Sequence, residues 1–311
     1  MPETEIYSDS FPSFGTTCNL VFTGLTADNA KSVLQKIKIE LEQLENILSP
    51  LSLISDVNKL NQASAGTWVE IDSVLTDVLL LCTDFYAMSS GAFDVCTGPL
   101  YNLWEKGMDA DSKELKTVKE KCGFDQLELD PENNRVRFLS NGMKLDLRAI
   151  DKAYAADILR SLLIENKVSN CIFSFDEEVI LALGNHPSGD AWPIGVRNLT
   201  AREEFLHVFQ SSNLTTVNTG TIVFDHDSGQ SVRKLVISPE SGLPVEERKT
   251  VSVTASSASF AAFLAHIWLI LPEHDQSIVA EQLSGVEIFE AGYLDADIKT
   301  KLTLFNNEEN N

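Results

Sequence analysis

Positive charge is what this sequence lacks most: 24 Lys and Arg stand against 46 Asp and Glu, a formal net charge of −22. A field of that sign repels polyphosphate backbones and anionic lipid surfaces, which excludes nucleic acid as the main partner. Cysteine is scarce and odd in number. Cys18, Cys82, Cys96, Cys122 and Cys171 share no metal-ligand spacing, so they read as small buried hydrophobes in a reducing compartment. Long apolar runs are missing too. The longest, "FAAFLAHIWLIL", is a dozen residues interrupted by His266, well short of the roughly 20 needed to span a bilayer. The opening "MPETEIYSDSFPSF" has neither a basic n-region nor an apolar core of signal-peptide length, so the expected location is cytoplasmic. No repeat occurs, and the one low-complexity tract is the terminal "NNEENN".

What is present is an ordinary globular balance, 43% hydrophobic and 23% charged over 311 residues, enough to bury a full core. Residues 1–12 are expected to be a flexible N-terminus, 13–304 one folded domain and 305–311 a disordered tail. "CNLVFTGL" alternates as a strand does. Thr26 then caps a helix whose apolar positions Val33, Ile37, Leu41, Leu44 and Leu48 recur at helical spacing. "TWVEI" predicts a short strand, followed by a helix from about Asp72 to Met88. "FDQLELD" and "RVRFL" form a hairpin, and "AYAADILRSLLIEN" a helix. "NCIFSF" and "VILALG" are strands, and the chain continues in strands and turns through "WPIGVRN", "HVFQSS", "TIVFDHDSG" and "KLVISPESG". Ser256 or Ser257 caps a last helix that Pro272 stops. Without a strict βαβ rhythm, the fold class is α+β.

Four segments concentrate residues capable of chemistry. "SDVNKLN" (55–61) is a polar loop of helix-capping type. "GAFDVCTGPLYNLWEKG" (91–107) packs glycines, a proline, a tryptophan and Asp94 into one bend; Asp94 either binds a ligand or caps the turn. "MKLDLRAIDKAYAAD" (143–157) brings Asp146 on a strand to Asp151 and Lys152 at a helix start, where unpaired amides gather anions; Asp157 lies on a solvated face or in a site. "VISPESGLP" ends in a turn, and "VTASSASFAAFLAHIWLIL" opens its helix with small residues that admit either a ligand or a second helix.

In this order the segments resemble the ApbE family, the FAD:protein FMN transferases, from "FGTT" at Phe14 to the helix ending at Leu271. "GAFDVCTGPLYNLW" is the most specific match, close to the family's G-A-F-D-x-T-x-G-P-L-x-x-x-W. "LDLRAIDKAYAAD" resembles D-L-G-G-I-A-K-G-Y-x-x-D, and "ISPESGLP" the D-P-x-T-G-x-P turn. The resemblance implies an α+β, T-fold-like single domain with mixed and antiparallel sheets. It implies FAD as substrate, and a target flavoprotein whose threonine receives FMN as AMP leaves. It also implies flavin-nucleotide contacts from Gly91, Phe93, Asp94, Gly98 and Pro99 in the bend, from Asp146, Lys152 and Asp157, and from Thr219 and Gly220 in "NTG".

The departures fall on groups that handle charge. The family's metal-binding aspartate aligns with Ala262 and its metal-binding threonine with His266; the residue that offers a backbone carbonyl aligns with Asp151. Alanine offers no donor, and neutral imidazole suits magnesium poorly. A glycine pair becomes Arg148-Ala149, a G-G-D/N element becomes "DEEV" (176–179), and the metal-side D-P turn reads Ser238-Pro239. Three readings stand: a transferase whose metal site is rewired through Asp151 and His266, a catalytically silent flavin-binding or scaffold protein, and an FAD diphosphatase needing the same magnesium.

Overall fold

The computed structural model describes residues 5–50, 52–106, 112–225, 228–294 and 297–305. The chain opens with β1 (Ile6–Ser13), β2 (Thr16–Thr23), α1 (Ala27–Leu48), α2 (Asp56–Gln62), β3 (Val69–Glu70), α3 (Ser73–Met88), α4 (Gly98–Trp104) and α5 (Ser112–Lys119). β4 (Leu127–Asp130), β5 (Arg135–Phe138), α6 (Asp151–Glu165), β6 (Asn170–Phe175), β7 (Val179–Leu183), β8 (Trp192–Arg197) and β9 (Phe205–Ser211) follow. The remainder is β10 (Leu214–Gly220), β11 (Ile222–Asp225), β12 (Gln230–Arg233), β13 (Lys249–Ala255), α7 (Ala258–Ile270), α8 (Glu273–Ala280), β14 (Val286–Tyr293) and β15 (Ile298–Phe305).

An eight-stranded antiparallel sheet, in the order β1-β2-β6-β7-β10-β13-β14-β15, carries the architecture. Period-two alternation gives it two apolar faces. In β6, Cys171, Phe173 and Phe175 enter the large core, where α1, α3, α6 and α7 lay their buried stripes, while Ile172 turns to the other side. There Trp192 and Ile194 of β8 and Phe209 of β9 pack over Ala182, Phe289 and Ala291. The α+β class is therefore as expected. All five cysteines are free thiols, four of them buried. Among the described residues, no helix is long and apolar enough to cross a membrane.

The caps follow the local chemistry. Thr26 accepts from the Asn29 amide and Asp72 from that of Val74; of the two serines offered for α7, Ser257 is the cap, accepting from Phe260. Four expectations are corrected. Residues 6–12 are not a flexible terminus, because Ile6 to Ser13 pair in full with Thr23 to Thr16. A two-residue loop, Phe14-Gly15 with both φ positive, turns that hairpin, and Lys38 holds Asp9 at 2.9 Å. Residue 305 likewise belongs to β15, while 306–311 lie outside the described residues, as do 1–4. "SDVNKLN" is not a loop: Ser55 accepts from the Asn58 amide and starts α2, and Asn58 Nδ2 donates to the carbonyls of Pro50 and Ser52. "KLVISPESG" holds no strand, only a bridge between Ile237 and Pro244. Beyond Leu271, α8, β14 and β15 add elements for which the pattern offered no expectation.

Candidate functional site

The bend after α3 is built by its own backbone. Gly91, at φ 86°, donates its amide to Tyr86, and the Phe93 amide donates to the Ser89 hydroxyl. Asp94 accepts from the amides of Cys96 at 2.7 Å and Phe124 at 3.2 Å, so its carboxylate closes the turn. At the far end, Trp104 Nε1 donates to the Gly242 carbonyl at 2.9 Å, pinning the bend to the "SPESG" turn. Gly107, its last residue, lies outside the described residues.

This bend, the start of α6, the α7 face and the ends of β7 and β10 enclose a cavity of about 180 Å³. Phe93, Asp94, Asp146, Asp151, Lys152 and Thr219 all reach its wall, as do Ala262 and His266. Five expected contacts do not. Gly91 faces a neighbouring cavity of about 560 Å³. Gly98 and Pro99 are buried in the first turn of α4, where a Cβ on Gly98 would stand 2.8 Å from the Lys144 carbonyl oxygen. Gly220 is the close-packed end of β10, against the Lys249 carbonyl. Asp157 caps α7, accepting from Ser257 Oγ at 3.0 Å and from the amides of Ala258 and Ser259 at 2.7 and 2.8 Å. Packing holds Gly98, Pro99 and Gly220, and the unpaired amides of a helix start hold Asp157.

The polar lining is organised as ion pairs. Arg148 grips Asp146 at 2.6 Å and Glu105 at 2.9 Å while its guanidinium lies 4.8 Å from the Tyr101 ring centroid. Opposite, Glu178 spans two ammonium groups, Lys152 at 3.0 Å and Lys234 at 3.5 Å. Burial opposes the charge on Glu178, but Lys234 and Lys152 outweigh it and hold its carboxyl below the usual range. Burial likewise opposes the Lys152 charge, and Asp151 and Glu178 more than offset it. Asp94 and Asp151 are each pushed up to about 6 by burial. Burial, reinforced by Lys234, lowers His266 to about 4, leaving a neutral imidazole at pH 7. Lys234 was missed by sequence reasoning, since nothing marks a single lysine between a strand and a turn.

These groups do not fit a magnesium ion. Ala262 presents a methyl, His266 a neutral nitrogen, and Asp151 Oδ1 already accepts from the Lys152 amide at 2.7 Å. Among the described residues, no group of three His, Cys, Asp or Glu side chains is placed to hold a metal.

A further cavity of about 590 Å³, lined by Phe205, Phe224 and Asn218 among others, shares Glu178, Thr219 and Lys234 with the first. The molecule is thus an α+β protein with a charged cleft that shares part of its wall with a roomier, partly aromatic one. The family model of the ApbE family matches residues 14–289, and the chain belongs to that family. The match runs past Leu271 into β14. Over 285 residues the chain is 25% identical to a FAD:protein FMN transferase of Klebsiella pneumoniae, covering 87% of this chain and 80% of that one. A Chlamydia muridarum protein of the same name is 25% identical over 249 residues, 78% of this chain and 76% of its own. In fold it is similar to the flavin transferase ApbE of Vibrio cholerae, with a TM-score of 0.82, 20% identity and coverage of 96% and 97%. The flavinyl transferase ApbE of Pseudomonas stutzeri, in its apo form, gives a TM-score of 0.82 at 21% identity, covering 98% of both chains.

Proposed function

We propose that this protein takes FAD as its substrate and transfers the FMN half to a threonine hydroxyl of a target flavoprotein. In that reaction the threonine oxygen forms a bond to the FMN phosphorus, the bond to the AMP phosphate breaks, AMP leaves with the electron pair, and the hydroxyl proton passes to solvent. Such a displacement demands positioning and charge neutralisation rather than protein covalent chemistry. The observation that carries the reading is the placement of two ammonium groups, Lys152 in the wall of a narrow charged cavity and Lys234 in the walls of both that cavity and a wider one with room for a ring system. The names of the matched relatives support the same chemistry. The five free thiols are compatible with the cytoplasmic location expected above.

The experiment mixes the protein with FAD and a threonine-bearing flavoprotein domain, with magnesium or with EDTA, and weighs the acceptor. A mass gain of one FMN unit supports the reading; no gain under either condition rules it out. A second reading, a silent binding protein on this fold, is favoured by the missing hard-cation donors at Ala262 and His266. It predicts FAD binding without any mass gain.

A further inference from the structure

We infer that Lys152 and Lys234 form a metal-independent subsite for a phosphate group, and that the Glu178 carboxylate masks it. The inference rests on the proposed function for the identity of the natural ligand, the FAD diphosphate, but its chemistry is that of any phosphate oxyanion.

The geometry is specific. One Glu178 oxygen meets Lys152 at 3.0 Å and the other meets Lys234 at 3.5 Å, so a single anion is spread between two donors as a phosphate would be. Lys152 sits in the first turn of α6, a 15-residue helix whose N-terminal amides and dipole favour negative charge at the same spot. Lys234 follows β12 and points in from the opposite side, close enough to depress the basicity of His266. Glu178 immediately precedes β7, and its position is fixed by the Asn218 amide, which donates to its carbonyl at 2.8 Å. Glu178 and Lys234 line both cavities, so the masked donors stand where a dinucleotide would cross from one to the other. Among the described residues, no group of three His, Cys, Asp or Glu side chains is placed to hold a cation that would bridge the ligand and the carboxylates. Arg148, the other cation of this wall, is already paired with Asp146 and Glu105, so the two ammoniums are the groups placed to neutralise a phosphate, and Glu178 competes for them. With the carboxylate in place the trio carries a single positive charge; without it, two. An anion at contact range feels that difference strongly because the site is half-buried and poorly screened.

The test is calorimetric titration of inorganic pyrophosphate into the full chain in EDTA. Glu178→Gln should tighten binding at least tenfold over the natural protein, and Lys234→Met introduced on top of it should abolish the gain. Glu178→Asp, which keeps the charge but shortens its reach, should give a smaller gain and carries the test if the Gln variant melts early. A folded Glu178→Gln variant with unchanged affinity overturns the inference, as does a gain that survives loss of Lys234. Parallel titrations with FAD, FMN and AMP separate the ligand sources. Pyrophosphate binding in a protein that never takes FAD keeps the subsite and removes the FAD reading. FMN transfer with no gain at Glu178→Gln does the reverse.

Discussion

The bend at Gly91 and the wall made by α6 and α7 face each other across one cavity, yet they spend their polar groups in opposite ways. In the bend, Asp94, Ser89 and Trp104 all bond to backbone, so side-chain chemistry fixes shape. On the helix wall, Lys152 and Arg148 bond to other side chains, Glu178, Asp146 and Glu105, so side-chain chemistry sets the potential. The difference teaches which similarities to trust. In the motif correspondence expected from the sequence, the close matches fall on residues that shape the chain, and the expected departures on those that set its field.

Gly98→Ala strikes the shape side hardest. Its Cβ would press on the Lys144 backbone, which cannot step aside as a flexible side chain could, and a loss of about 3 kcal/mol is expected in urea unfolding. A fall below about 0.5 kcal/mol would show that the bend yields, and the comparison would weaken. Asp157→Ala comes next. It strips three hydrogen bonds from the start of α7 and should cost about 2 kcal/mol, with a matching fall in Tm. If that variant instead lost FAD affinity at unchanged stability, Asp157 would belong to the site after all. The smallest effect sharpens the helix side. Asp151 titrates near 6 in the fold against 3.8 unfolded, so the native state binds the proton more tightly and its ionised form opposes folding at pH above 6. Asp151→Asn should therefore stabilise the protein by about 1–2 kcal/mol at pH 8. That gain should shrink as the pH falls through 6 and vanish below about 4. A pH-independent difference would contradict the buried-charge account.

Much of this was legible where cause and effect lie close in the chain. Thr26, Asp72 and Ser257 cap helices within three residues of themselves, and the stripe from Val33 to Leu48 announces α1 by spacing alone. What resisted was long-range. Asp157 looked like a ligand contact or a solvated acid because its partners lie 100 to 102 residues away, at Ser257 to Ser259. Glu178 looked merely hostile to an anionic ligand; only folding brings Lys152 and Lys234 to its two oxygens and makes it the mask of a cationic pair. β1 escaped notice since most of its side chains are exposed or half-buried and Phe11 alone enters the core.

The large sheet also has two outer margins, and each is guarded against recruitment of a stranger's strand. On β1, Pro12 removes an amide that an incoming chain would need. On β15, Lys299 and Lys301 are exposed at alternate positions, Lys301 meeting Glu273 at 3.3 Å, so a docking strand would have to bury ammonium groups. The consequence is that neither flank of the sheet offers a free template on which a stranger's strand could lengthen it into an aggregate.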